Sequence, residues 1–250
     1  MTKRVRVPKN TKFPNFWSLS RYNKWRGCAY QYLLECVLKG PDRKPKYKAP
    51  PSRAMERGIA IHAKLEEKLK GNVTGMPDEL AKLKKEINNL CKVEAIPEAP
   101  WTLTEDFEQT YATDWNNAWL RAKIDAHQYF DDEELLIVDL KTGRFNIAQA
   151  QMDLYAAMSQ FYYPDAENIR VELWFSDQGE IHGDDYTPKE ARDLWKRWVK
   201  RAKDMLSDRK FLPSPGPACK KYGGCPMRSD KKLIDGRPGP CHFWKEAEKG

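Results

Sequence analysis

The stretch Leu135-Leu136-Ile137-Val138-Asp139-Leu140-Lys141-Thr142-Gly143 decides how this chain is read. Four consecutive apolar residues describe a buried strand, and Asp139 and Lys141, two positions apart, project from the same face of it. A carboxylate and an ammonium at the end of a buried strand cost desolvation free energy unless something uses them. The use that suits both is a hard cation plus a phosphate, with Asp139 on the cation and Lys141 orienting a water or offsetting phosphate charge. The same residues equally describe a strand end emerging into solvent beside Gly143. Their neighbours must separate the two readings.

Upstream, Trp119-Leu120-Arg121-Ala122-Lys123-Ile124-Asp125-Ala126 reads as the partner strand, joined through the acidic turn Asp131-Asp132-Glu133-Glu134. Asp125 and Asp139 can then converge on one ion. Two carboxylates and a lysine on adjacent strands are the makings of metal-assisted phosphodiester hydrolysis.

The flanking elements follow from periodicity and punctuation. A helix is expected over Ser18–Val37, opened by Ser18 or Ser20, and a second from Ser52 to about Leu69 with Met55, Ile59, His62 and Leu69 on one face. A histidine in that setting is more often a satisfied core residue than a ligand. Gly58, one turn earlier, leaves room for a strand to approach. Pro77–Lys92 reads as an amphipathic helix with the stripe Leu80, Leu83, Ile87 and Leu90, and Lys39–Pro51 as a linker. Extended segments are expected near Thr102–Tyr111, Ala118–Phe130 and Leu135–Leu140. A helix from Ile147 to about Phe161 follows, with Gln151 and Tyr155 one turn apart; alone, that pair is ordinary packing. Val171, Leu173 and Phe175 then alternate before the turn Asp177-Gln178-Gly179. Thr187-Pro188-Lys189-Glu190 combines a capping box with proline at the first helical position. The helix it opens buries Ala191, Leu194, Trp195, Trp198, Ala202 and Met205. Helices around a small sheet make one α/β domain.

The 250 residues suffice for a core without disulfides, since a chain of this size buries roughly 70 to 75% of its unfolded surface. Nine Trp, 11 Tyr and 9 Phe exclude wholesale disorder, and 17 Pro argue against a coiled coil. No apolar run approaches the roughly 18 residues of a membrane span, and the first eight residues lack the apolar stretch of a secretory signal. A cytoplasmic protein is expected, of a bacterium or of a host cell if phage-encoded. In a reducing compartment the six cysteines read as buried thiols or metal ligands.

Net charge is +8, unevenly spread. Residues 1–57 hold 15 basic and 3 acidic side chains, residues 189–250 hold 17 and 8, and residues 58–188 hold 12 and 25. Basic flanks suit a polyanion such as DNA, and an acidic centre suits a divalent metal. Solvated surface charge is the plain alternative. Lys196, Arg197, Lys200 and Arg201 line the basic side of the last helix, placed to track a DNA backbone.

Taken in order, Gly58-Ile59-Ala60-Ile61-His62, Ile124-Asp125, Asp139-Leu140-Lys141-Thr142-Gly143 and Gln151-Met152-Asp153-Leu154-Tyr155 resemble the RecB-type nucleases of the PD-(D/E)XK superfamily, over residues 16–245. The resemblance implies a restriction-endonuclease-like core, a small mixed sheet flanked by helices. It implies Mg²⁺ or Mn²⁺ held by His62, Asp125, Asp139 and the backbone carbonyl of Leu140, with catalytic roles for Asp125, Asp139, Lys141, Gln151 and Tyr155. Glu105 or Glu108 would supply the glutamate that many members carry on the preceding strand. Ala122 stands where relatives commonly have glycine.

In the tail, Cys219, Cys225 and Cys241 lie among glycines and prolines with little apolar sequence to pack, which suggests ligands. With Cys28 they resemble the set that AddB-type and CRISPR-associated relatives use to bind a [4Fe-4S] cluster, although Cys225 and Cys241 are farther apart than usual; zinc is the alternative. Cys36 and Cys91 remain as ordinary thiols. The expectation is a single nuclease domain over 1–250, made of an N-terminal helical segment (16–51), a core (52–206) and a Cys-rich tail (207–250). Its expected activity is that of a metal-dependent DNA exonuclease working on ends or single strands. A zinc-stapled nucleic-acid-binding module and an endonuclease of the same fold are the alternatives.

Overall fold

A computed structural model describes residues 5–40, 44–114, 116–146, 148–220 and 224–248, and side chains as far as residue 246. Pro41–Arg43 of the expected linker and Ile147, the expected start of a helix, lie outside the described residues. The chain divides into two compact units, one formed by Met1–Pro51 with Arg201–Gly250 and the other by Ser52–Lys200.

In the terminal unit the expected first helix is broken. Helix α1 (Leu19–Gly27) is capped by Ser18, whose side chain accepts from the Arg21 N–H. Cys28 then turns extended, with φ −161° and ψ 105°, before α2 (Ala29–Tyr32) and a π-helical turn over Leu33–Val37. Trp17, Tyr32, Leu33 and Phe211 are buried here, and Leu34 packs with Met227 and Leu233 of the tail.

The other unit carries the sheet. Helix α3 (Arg53–Leu69) starts at Ser52, whose hydroxyl accepts from the Met55 N–H at 3.2 Å. A 3₁₀ segment (Asp78–Leu83) runs into α4 (Lys84–Lys92), and the predicted stripe Leu80, Leu83, Ile87 and Leu90 is buried. Among the described residues five strands follow in spatial order β1-β2-β3-β4-β5. They are β1 (Ile96–Leu103), β2 (Leu120–Tyr129), β3 (Glu134–Lys141), β4 (Asn168–Phe175) and β5 (Glu180–Tyr186). Only β3 and β4 pair in parallel, so the sheet is mixed, and α5 (Gln149–Tyr162) makes the crossover between them. Helix α6 (Pro188–Ser207) opens with the expected capping box: Glu190 accepts from the Thr187 N–H at 2.8 Å. Among the described residues no helix is long and apolar enough to cross a membrane.

The first strand lies earlier than the sequence suggested, at Ile96–Leu103 rather than Thr102–Tyr111. Pro97 and Pro100 disguise it, since proline donates no ladder hydrogen bond; β1 can hold both because it is an edge strand. A second correction concerns α3. Its buried residues are Ile61 and Leu65, which pack with Ala126, Val138, Leu140 and Trp174, while Met55 and Ile59 are 57% and 61% exposed. The turn carrying His62 therefore faces away from the core, toward the sheet's polar end. Gly58 allows that approach, because a Cβ there would stand 3.3 Å from the Thr142 hydroxyl, just past β3.

Strand alternation sorts the two faces of the sheet. Ala126, Val138 and Leu140 join the α3–α4 core. Lys123, Asp125, His127, Asp139 and Lys141 take the opposite parity, on the side of α5, where the Tyr155 hydroxyl reaches Asp139 and the Tyr163 hydroxyl reaches His127.

Candidate active site

The site forms where β2 and β3 part. Their antiparallel register runs from Tyr129↔Leu135 to Ala126↔Val138 and stops there, one step before Asp125 would oppose Asp139. Beyond that point β2 supplies no backbone acceptor to the Leu140 N–H. The Asp125 carboxylate takes its place, with Oδ2 accepting from Leu140 N at 2.8 Å. Its other oxygen lies 2.8 Å from His62 Nδ1. One buried side chain thus ties α3, β2 and β3 together. Burial alone would lower the His62 pKa, but the hydrogen bond and negative charge of Asp125 outweigh it and the imidazole titrates above its ordinary 6.5.

Asp139 is 4% exposed and fully engaged. Its Oδ1 accepts from Gln151 Nε2 at 2.6 Å and from the Tyr155 hydroxyl at 3.1 Å, and its Oδ2 lies 2.5 Å from Lys141 Nζ. Burial pushes the Asp139 carboxyl up, against the pull of Lys141, and the neighbouring Asp125 adds to the rise. Lys141 also donates to Gln151 Oε1 at 2.5 Å. Gln151 therefore spans the ion pair, and Tyr155, whose pKa burial and Asp139 raise well above 10, completes the row, its one hydroxyl hydrogen shared between Asp139 and the Lys123 carbonyl at 3.2 Å. The i, i+4 spacing read from the sequence puts both α5 side chains on one carboxylate.

A glutamate that the sequence reading did not name lies with this group. Glu105 and Glu108 lie exposed in the segment after β1, and neither joins the group. Glu98 does: its carboxylate, His62 and Asp125 each offer a ligand atom within 4.8 Å of the other two. Glu98 stands in register with Asp125, between the pairs Pro97↔Ala126 and Ala99↔Ile124. Its φ of 52° is rare for a residue with a side chain and costs of order 1–3 kcal/mol, the kind of strain that collects at functional sites. The signal that finds it is the cross-strand register; the flanking prolines conceal it.

One imidazole nitrogen and two carboxylate oxygens form a donor set suited to a hard divalent cation such as Mg²⁺ or Mn²⁺. Asp139 lies at the register position opposite Asp125, one step past the last ladder pair and on the same sheet face.

The remaining predicted residues fall elsewhere. Lys196, Arg197 and Lys200 are exposed on α6, Lys196 paired with Asp193 at 2.8 Å, and Arg201 is half-buried. Cys28, Cys219, Cys225 and Cys241 all line one cavity of about 290 Å³ in the terminal unit. The backbone there is cross-tied: Cys225 N–H donates to the Cys219 carbonyl at 3.1 Å, and Cys241 N–H to Met227 at 2.8 Å. Burial raises the Cys225 thiol to about 12 and raises Cys241 as well. Among the described residues no three of these sulfurs come within 4.8 Å of one another, so a closely knit cysteine group is absent. Cys36 and Cys91 do not line this cavity; the Cys91 thiol points at the Lys68 carbonyl.

Comparison with known proteins adds to this geometry. The sequence profile of the PD-(D/E)XK nuclease superfamily matches residues 16–229. No curated protein matches the chain in sequence. Among solved structures, a protein from Eubacterium rectale described as a "putative exonuclease" is similar at 10% identity and a TM-score of 0.42, over 82% of this chain and 89% of that one. A protein named SSO0001 is similar at 13% identity and a TM-score of 0.29, over 63% and 91%.

The pairing of His62 with Asp125 is directly measurable in metal-free protein. Asp125→Asn removes a charge that raises the His62 pKa against burial, so that pKa, followed by NMR, is expected to fall. A His62 titration that ignores the substitution would contradict the pairing.

Proposed function

The chain belongs to the PD-(D/E)XK nuclease superfamily, and from that premise we propose that it is a metal-dependent DNA exonuclease, acting on DNA ends or single strands in recombination, repair or phage DNA metabolism. The observation that supports the reading is the close group of His62, Glu98 and Asp125 at the open end of the β2–β3 ladder, with the Asp139–Lys141 pair at the facing position on β3. The exonuclease mode draws on the ordered resemblance to RecB-type nucleases. A cytoplasmic location, in a bacterium or a phage-infected host, goes with it.

His62, Glu98, Asp125, Asp139 and the Leu140 carbonyl would hold Mg²⁺ or Mn²⁺. When bound, such a cation polarises a phosphoryl oxygen and lowers the pKa of a water. The chain's own part is positioning. Lys141, fixed between Asp139 and Gln151, presents an ammonium to the scissile phosphate and orients the attacking water. Gln151 keeps that ammonium in register by bonding Asp139 and Lys141 at once. Tyr155 fixes the buried side of Asp139 so that its carboxylate faces the cleft. Lys196, Arg197, Lys200 and Arg201 would follow the DNA backbone as counter-charges.

For the tail we propose a [4Fe-4S] cluster on Cys28, Cys219, Cys225 and Cys241. The cysteine lining of one cavity supports a soft metal group. A single zinc on the same four cysteines is the alternative.

Two sets of variants test the reading. Asp139→Ala is expected to abolish cleavage of end-labelled linear DNA under Mg²⁺ or Mn²⁺ while DNA binding persists. Lys141→Ala should lower turnover by at least about 10²-fold with little change in metal affinity. Near wild-type turnover in either variant would sink the active-site assignment, and cleavage of covalently closed circles would favour an endonuclease.

Anaerobically purified protein is expected to be brown. Cys28→Ser should bleach it, and Cys36→Ser and Cys91→Ser should not. Colourless wild-type protein with one stoichiometric zinc would overturn the cluster in favour of a zinc staple.

A further inference from the structure

The proposed mechanism leaves Lys123 unused, although it stands inside the site. It lies on β2 two residues before Asp125 and therefore on the same sheet face. Its direct partner across the ladder is Pro100, which makes Glu98 its diagonal neighbour, within reach of a long side chain. Lys123 Nζ meets Glu98 Oε2 as an ion pair. The two partners differ sharply in setting, since the Lys123 side chain is 64% exposed and that of Glu98 only 9%.

The contrast with Lys141 is informative. That ammonium is 26% exposed and held by both Asp139 and Gln151. Lys123 has a flexible stem in solvent and an ammonium on one carboxylate of the His62–Glu98–Asp125 trio. Glu98 cannot give the same oxygen at full strength to an ammonium and to a divalent cation, because the two positive charges would repel at contact distance. Displacing Lys123 is easy on structural grounds, since its side chain moves into water and breaks no core packing.

We propose that Lys123 is a resident counter-ion of the metal seat: its ammonium holds Glu98 when metal is absent and must leave before His62, Glu98 and Asp125 can close on a divalent cation. The inference rests on the metal reading given above. Lys123 keeps the buried, backbone-strained Glu98 compensated in the empty site, and it weakens metal binding by competing for it. Apparent metal affinity is then scaled by the fraction of sites in which the ammonium has swung away.

Direct Mn²⁺ binding, read by the EPR signal of free Mn²⁺ in the absence of DNA, tests this on the intact chain. Lys123→Gln is expected to tighten Mn²⁺ binding about three- to tenfold, the factor for an open fraction of roughly 10 to 30%. Lys123→Arg keeps the charge and should bind as wild type does, and Glu98→Gln should bind more weakly than wild type. Unchanged or weaker binding by Lys123→Gln, or equal tightening by Lys123→Arg, would overturn the proposal while leaving the metal site intact. If wild type and Glu98→Gln both fail to bind Mn²⁺, the metal reading falls and this inference with it.

Discussion

The Asp125 carboxylate is the joint on which the site depends. One oxygen closes the Leu140 N–H that the parting strands leave open, and the other holds His62. The site is therefore not an addition to the sheet but a consequence of where its ladder ends. Had β2 and β3 stayed paired for one more step, Asp125 would have lost its backbone partner and its reason to face His62. The buried cost of Asp125 and Asp139 is offset by hydrogen bonds to both Asp125 oxygens and to Asp139 Oδ1, and by the Lys141 ion pair at Asp139 Oδ2.

From that joint the polar network spreads in two directions with different rigidity. Toward α5, Asp139, Lys141, Gln151 and Tyr155 form a closed set in which each member bonds at least one other. Toward β1, Glu98 and Lys123 form a looser pair at the edge of the sheet, one buried and one in solvent. The first arrangement suits a group that must stay put while chemistry occurs, the second a group that must yield when a ligand arrives.

Much of this was legible in the sequence because its signals are local. The apolar run into Asp139 and Lys141, the hairpin that carries Asp125, and the turn-spaced Gln151 and Tyr155 each depend on a few neighbouring residues and a fixed period. Thr187 to Glu190 likewise announced α6 through a capping box that the structure contains. What escaped depends on position in the sheet. Glu98 sits between prolines that read as a loop and are tolerated only because β1 is an edge. The face of α3 misled for a related reason: Met55, Ile59 and His62 share a helical stripe, yet the core selects Ile61 and Leu65 and leaves the first two exposed. The break at Cys28 interrupts an otherwise continuous helical pattern, and no proline announces it.

The central claim, that His62, Glu98 and Asp125 close with Asp139 on one catalytic cation, is tested most directly by anomalous diffraction from crystals soaked in Mn²⁺. The account predicts an anomalous peak at the open end of the β2–β3 ladder, with ligand atoms of His62, Glu98 and Asp125 about 2.0 to 2.3 Å from it. A crystal that takes up Mn²⁺ only elsewhere, with the Asp125–His62 and Lys123–Glu98 pairs undisturbed, would contradict it.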